Sequence, residues 1–233
     1  CGTLFPYTTL FRSTLGLNLG AVDTCLDMGA GITMASGFYQ SFHKDGVEQP
    51  IVATIGDSTF YHSGTAGLLN AVYNDARFIL VVLDNQTTAM TGMQPTPGLG
   101  IRADGSRGNA VSLERVIAGC GVNFVEVIDP YDIQGMTALM KKAVQYVQRP
   151  DGGVAAIIAR HPCVIAYRDQ AVLQKKQVKV TEACVECNFC HERFECPALY
   201  KDEDLGRTAV NQALCVQCGV CIQICPKGAI VEA

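Results

Sequence analysis

The stretch "IVATIGDSTFYHSGTAGLLNAVYNDARFILVVLDNQ", residues 51–86, decides the fold. It opens with IVATI (51–55), an unbroken apolar run of strand length. It then passes through a loop that opens with Gly56-Asp57-Ser58 and a helix over roughly 64–74, and returns as a second apolar strand, FILVVLD (78–84), ending in Asp84-Asn85. Strands without polar alternation are buried on both faces, as in parallel sheets joined by crossover helices. Twenty-five residues separate Ser58 from Asp84, so both the acid of the first strand and the acid–amide pair of the second fall at carboxyl ends. Open α/β sheets bind their ligands there. An oxygen-only donor set of this kind suits Mg²⁺, which takes few protein ligands and completes its octahedron with phosphate oxygens and water. Helix N-termini after Gly29 and after Asp57 can offer backbone N–H groups to the same phosphates. Taken alone, an acid-ended strand is also common in purely structural loops.

The pattern continues on both sides. Upstream, DMGAGITMASGFYQSFHKDG (27–46) reads as a small-residue helix opened by glycines 29 and 31 and closed by a turn at Gly46. Downstream lies a Gly/Pro/Thr-rich segment, 91–108, with little secondary structure; loops of that length are usually functional. Then come a helix (112–121), a strand (123–129), an amphipathic helix (132–148) and a strand (153–160). The fold class expected is α/β, a doubly wound, mainly parallel sheet over residues 14–167, with a polar linker at 168–179 and a small α+β domain at 180–233.

That second domain is announced by cysteine. Eight of the twelve cysteines lie in the last fifty positions, in two runs: Cys184, Cys187, Cys190 with Cys196-Pro197, and Cys215, Cys218, Cys221 with Cys225-Pro226. Such triplets wrap one iron–sulfur cluster, and the fourth ligand comes from the other run. The spacing predicts one [4Fe–4S] cluster on Cys184, Cys187, Cys190 and Cys225, and another on Cys215, Cys218, Cys221 and Cys196. Zinc is the alternative for thiolate pairs, but two triplets each followed by Cys-Pro favour clusters. The first run spaces its last cysteine by five residues where the second uses three, which alters hydrogen bonding and solvent access around the second cluster. Cys25, Cys120 and Cys163 have no spaced partner and read as buried thiols.

Net charge is −4, and the excess acid sits entirely in the tail beyond residue 180. No basic patch points to nucleic acid. No apolar run is long enough to span a bilayer and no export signal is recognisable, so a cytoplasmic address is expected, where thiols stay reduced. Residues 1–13, CGTLFPYTTLFRS, lack an initiator Met, repeat TLF, and break off where the coherent pattern begins. They read as a non-native leader, with the natural N-terminal part missing.

Gly-Asp-X, then about 25 residues, then a pair ending in Asn is the thiamine diphosphate motif. GDSTFYHSG (56–64) and LDNQTTAMTG (83–92), followed by a two-cluster ferredoxin tail, resemble the alpha subunit of the indolepyruvate ferredoxin oxidoreductases over residues 14–233. The resemblance implies Mg²⁺ held by Asp57, the Asn85 side chain and the Thr87 carbonyl. Gly56 and Ser58 complete that turn; Ser58 stands where the general motif has Gly, as is usual in this family. Met28-Gly29 matches the segment that lies against the thiamine, with helix-start packing as the plainer alternative. His62 could donate a hydrogen bond to the diphosphate or be merely structural. Thr91-Gly92-Met93-Gln94 looks like a cover on the substrate side, or a plain surface loop.

The activity implied is oxidative decarboxylation of an aryl 2-oxo acid such as indolepyruvate. Coenzyme A becomes the arylacetyl thioester, and electrons pass through the clusters to an external ferredoxin. Pyruvate or 2-oxoglutarate oxidoreductases, and a non-catalytic electron-transfer module, are the alternatives. The activating glutamate is expected in a missing N-terminal pyrimidine-binding domain, so no catalytic residue is assigned here and the isolated fragment is expected to be inactive. A separate beta subunit makes the implied assembly a hetero-oligomer.

Overall fold

The computed structural model describes residues 20, 22–167 and 175–233. The leader 1–13 and residues 168–174 of the linker lie outside the described residues. The described chain divides into two compact units: 20–130 with 134–166, and 175–233 with 131–133 and 167. No described helix is long and apolar enough to cross a membrane.

The first unit is an α/β domain on a parallel sheet. In chain order it runs α1 (Ala30–Lys44), β1 (Val52–Gly56), α2 (Thr65–Tyr73), β2 (Ile79–Asp84), α3 (Leu113–Gly119), β3 (Phe124–Ile128), α4 (Ile133–Val147) and β4 (Ala155–Arg160). The strand order is β1-β2-β4-β3, and every pairing is parallel. Side chains alternate across a strand, so the apolar runs feed two cores. Leu80, Val82, Ala156 and Ile158 pack with residues of α1, α2 and α3 on one face. Ile79, Val81, Ala155 and Ile157 pack with Ala143 and Val147 of α4 on the other. That double burial is why β2 and β4 carry no polar residue before their last position.

One difference from the sequence reading lies at the head of the site. No loop separates β1 from its helix: the chain turns helical at Asp57–Thr59, widens into a π-turn at Phe60–Gly64, and continues as α2. π-Turns inside helices recur at functional sites. Here the wide turn coincides with glycine packing, since a Cβ on Gly64 would sit 2.8 Å from the Phe60 ring and 3.0 Å from Ile55 Cδ1.

The second unit holds β5 (Val178–Val180), α5 (Phe189–Glu192), β6 (Leu199–Asp202), β7 (Arg207–Val210), α6 (Val220–Ile224) and β8 (Ile230–Glu232). β5 pairs with β8 and β6 with β7, both antiparallel. Its small core joins Val178, Leu199 and Ile230 to the cysteines themselves. The two cysteine runs repeat in backbone as well as in spelling. Glu186 and Asn188 take positive φ in the first run, as do Gln217 and Gly219 at the matching places in the second. α5 and α6 then follow in equivalent register. Left-handed non-glycine residues are uncommon, so their recurrence marks one loop shape used twice.

Candidate functional site

The carboxyl ends of β1, β2 and β4 position the first group of residues. Gly56 is extended, so the chain leaves β1 straight into the helical turn that carries Asp57 and Ser58. β1 and β2 run in register with Gly56 opposite Leu83, which sets Asp57 and Asp84 next along neighbouring strands. Both are buried, 3% and 6% exposed. Oδ2 of Asp57 is buried with no hydrogen-bond partner. Burial pushes the Asp57 carboxyl up to about 7; the Ser58 backbone N–H opposes this, and the adjacent Asp84 carboxylate adds to it.

After β2 the chain makes two successive side-chain-closed turns. Gln86 N–H donates to Asp84 Oδ1 at 3.2 Å, and Thr87 N–H to Asn85 Oδ1 at 3.1 Å. Asp and Asn favour this local bonding, and Gln86 pays a positive φ of 60° for it. The Ser58 and Thr88 hydroxyls share a hydrogen bond of 2.9 Å. Asp57, Ser58, Asn85 and Thr87 are thereby brought to one place. A buried, unpartnered carboxylate oxygen at the end of β1, with the Asn85–Thr87 turn at the end of the neighbouring strand, is chemically suited to a hard divalent cation.

Met28, Gly29 and His62 stand differently. Gly29 caps α1 with φ 93°, and a Cβ there would meet Ser63 Oγ at 2.5 Å, so only glycine fits this approach to the π-turn. Met28 and Gly29 line a cavity of about 550 Å³ together with Thr54, Ile55, Thr59 and Phe38. Asp57, Ser58, Asn85 and Thr87 do not line it. His62 is exposed, within the π-turn. The loop after residue 90 is held by its own turns, Ala89–Thr91 and Pro97–Leu99, and by Tyr61, whose hydroxyl donates to Val111 O at 2.5 Å. Burial, then the charges of Asp84, Asp57 and Glu114, push that phenol up to about 12, so it remains a donor.

Two residues escaped the sequence reading. Arg160, at the end of β4, donates through Nε to Asp84 Oδ2 at 2.6 Å and through Nη1 to Glu114 Oε1 at 2.8 Å. Glu114 also accepts from Ser112 Oγ at 2.6 Å, and Ser112 caps α3. Burial works to raise Glu114, but Arg160 and Ser112 bring it down to about 2. The available signal was a lone arginine ending an otherwise apolar strand.

In the second unit the cysteines fall into two sets. Cys184, Cys187, Cys190 and Cys225 line one small cavity with Phe189 and Thr208. Burial raises the Cys221 thiol to about 12, with Cys218, Cys196 and Cys215 adding to the effect; Cys218 is raised too, by burial and then by Cys196 and Cys215. Two thiols, Cys218 and Cys221, held protonated by burial and by the neighbouring cysteines suit a site whose positive charge comes from metal. Backbone N–H groups already point at sulfur: Gln217 to Cys215 at 3.4 Å and Ala229 to Cys225 at 3.3 Å. Thr208 is buried, with its hydroxyl 3.6 Å from Cys190 Sγ and 3.0 Å from His191 Nε2. Among the described residues, no three His, Cys, Asp or Glu side chains are arranged to hold a single metal ion. Of the three described cysteines outside the runs, Cys120, at the end of α3, is buried as expected, whereas Cys25 and Cys163 are only half-buried.

Comparison with known proteins adds identity. Residues 11–158 match the thiamine pyrophosphate enzyme, C-terminal TPP binding domain, and residues 208–231 match the 4Fe-4S binding domain. The chain is 45% identical over 224 residues to the indolepyruvate oxidoreductase subunit IorA of Archaeoglobus fulgidus, covering 94% of this chain and 34% of that protein. It is 39% identical over 230 residues to the same subunit of Methanothermobacter marburgensis, covering 97% and 35%. It thus spans about a third of the length of the curated relatives it matches. Among solved structures, the 2-oxoglutarate:ferredoxin oxidoreductase from Magnetococcus marinus is similar with a TM-score of 0.47 at 17% identity, over 60% of this chain and 50% of that one. The chain belongs to the thiamine pyrophosphate enzyme family, whose C-terminal TPP-binding domain it carries together with a 4Fe-4S binding domain.

Proposed function

We propose that this chain is the cofactor-binding and electron-transfer part of a 2-oxo acid:ferredoxin oxidoreductase acting on aryl 2-oxo acids, indolepyruvate among them, with coenzyme A as acyl acceptor. The observation that carries the reading is the orphaned, buried Asp57 carboxylate oxygen at the end of β1, beside the Asn85–Thr87 turn. Asp57 and the Asn85 side chain, with the Thr87 carbonyl, would hold Mg²⁺; Gly56 and Ser58 shape that turn. Met28 and Gly29 would lie against the cofactor, and His62 would donate to its diphosphate. Bound thiamine diphosphate would supply an electron sink for the carbanion left when the 2-oxo acid loses CO₂. Two [4Fe–4S] clusters would supply one-electron carriers, on Cys184, Cys187, Cys190 and Cys225 and on Cys215, Cys218, Cys221 and Cys196. The domain limits proposed are 14–167 and 180–233, with a linker between them.

The chain's own groups do the rest. Arg160 and Glu114 fix the acid next to Asp57, Tyr61 holds the long loop to the helix that begins at Asp57, and the buried Thr208 hydroxyl and the loop N–H groups bond sulfur. The names of the curated relatives support indolepyruvate as the substrate. Turnover is proposed for the longer protein, with a pyrimidine-binding domain, a beta subunit and an external ferredoxin as partners in the cytoplasm. Calorimetric titration of the chain with thiamine diphosphate, with and without Mg²⁺, tests the reading. Heat of binding that requires Mg²⁺ is expected; no binding in either arm would leave only an electron-transfer module.

A further inference from the structure

We propose that Arg160 makes cation binding at Asp57 depend on the diphosphate, by holding the Asp84 carboxylate out of the ligand set. This rests on the thiamine diphosphate reading given above.

Asp57 and Asp84 follow the in-register pair Gly56 and Leu83 on adjacent strands, and both are buried. Two neighbouring buried carboxylates could together hold a hard cation with no help from phosphate. One carboxylate with an amide and a carbonyl oxygen leaves the octahedron to be completed by phosphate and water. The structure engages both oxygens of Asp84 elsewhere. Oδ2 accepts from Arg160 Nε at 2.6 Å and Oδ1 from Gln86 N–H at 3.2 Å, while Asp57 Oδ2 is left without a partner.

Arg160 is itself held in place. Asp84 and Arg160 are register partners on β2 and β4, so the guanidinium starts beside the carboxylate. Its Nη1 donates to Glu114 Oε1 at 2.8 Å, and Ser112 Oγ occupies Glu114 Oε2 at 2.6 Å. Removing the guanidinium would leave Asp84 as an uncompensated buried charge, which a divalent cation would neutralise. Arg160 is therefore a positioning residue: it keeps the metal site incomplete until the diphosphate arrives.

The test uses the full chain, with Mn²⁺ as probe and the free ion read by electron paramagnetic resonance, with and without thiamine diphosphate. In the wild type, Mn²⁺ retention at this site should require the diphosphate. In Arg160→Met, diphosphate-free retention should tighten by about tenfold or more, as expected for a buried carboxylate that has lost its partner. Adding Asp84→Asn should restore dependence on the diphosphate, and adding Asp57→Ala should abolish the gained binding. Merely structural damage by the substitution would weaken binding rather than create it. If circular dichroism shows Arg160→Met misfolded, Arg160→Gln, which retains a donor without the charge, takes its place. Unchanged diphosphate dependence in the folded Arg160 variant overturns this inference alone, as does gained binding that survives Asp57→Ala. Absence of diphosphate-linked Mn²⁺ retention in the wild type overturns the cofactor reading and this inference with it.

Discussion

Asp57 shows how much one side chain depends on its surroundings. A carboxylate with an unpartnered buried oxygen is unfavourable unless something positive satisfies it. Asp57→Ala should abolish Mg²⁺-dependent thiamine diphosphate binding in calorimetry while the iron content stays unchanged, because the two sites occupy separate units. Unchanged cofactor affinity would make the Gly-Asp-Ser turn purely structural. Glu114 offers a test through pH. Its ordinary value of 4.5 falls to about 2 in the folded chain, so its contribution to stability is fully present above about 4.5 and is lost as pH falls toward 2. The difference in urea midpoint between the wild type and Glu114→Gln should therefore shrink over that window. Both proteins carry the same cysteine-rich tail, so acid loss of clusters cancels in the comparison. A difference independent of pH would show that Glu114 acts through packing rather than charge.

At the scale of elements, the central strands and the paired cysteine loops carry the most weight. Ile158 is fully buried on β4, which lies between β2 and β3, and packs with the residues of α1, α2 and α3. Ile158→Ala should cost about 2–5 kcal/mol, seen as a lowered urea midpoint with an unchanged slope. The apolar runs made these strands legible in the sequence. The π-turn at Phe60–Gly64 was not legible; the close packing of Gly64 against Ile55 of β1 that accompanies it is a contact between elements, which no local pattern announces. For the loops, crossed ligation predicts that Cys196→Ser removes about four iron atoms per chain. Adding Cys218→Ser should remove no more, since both residues would serve one cluster, whereas adding Cys187→Ser should remove the remainder. Full iron loss in the first pair and half in the second would reverse the assignment.

For the whole molecule, reconstitution should yield about eight iron and eight labile sulfide per chain. Arylpyruvate-dependent ferredoxin reduction should appear only when the rest of the longer protein and the proposed beta subunit are supplied; substantial oxidation of a 2-oxo acid by the 233-residue chain alone would refute the proposed partner requirement. The succession of strands and helices along the chain, the oxygen donors at the strand ends and the repeated cysteine spacing were readable from the sequence, because each depends on residues close together or on a periodicity that burial imposes; the spatial order β1-β2-β4-β3 was not. Met28 and Gly29 were readable as a pair, but the sequence did not place them around a cavity that Asp57 and Asn85 do not line. The partner of Asp84 lies 76 residues away in Arg160, and the hydroxyl beside Cys190 belongs to Thr208, on a different element. No local pattern specifies such pairs. They exist because packing the helices onto both faces of the sheet sets the register of β2 against β4, and because pairing β6 with β7 carries Thr208 in beside the cysteines. The kinds of ligand were thus determined by the sequence itself. Which charges restrain them was decided only when the tertiary structure brought distant residues into register.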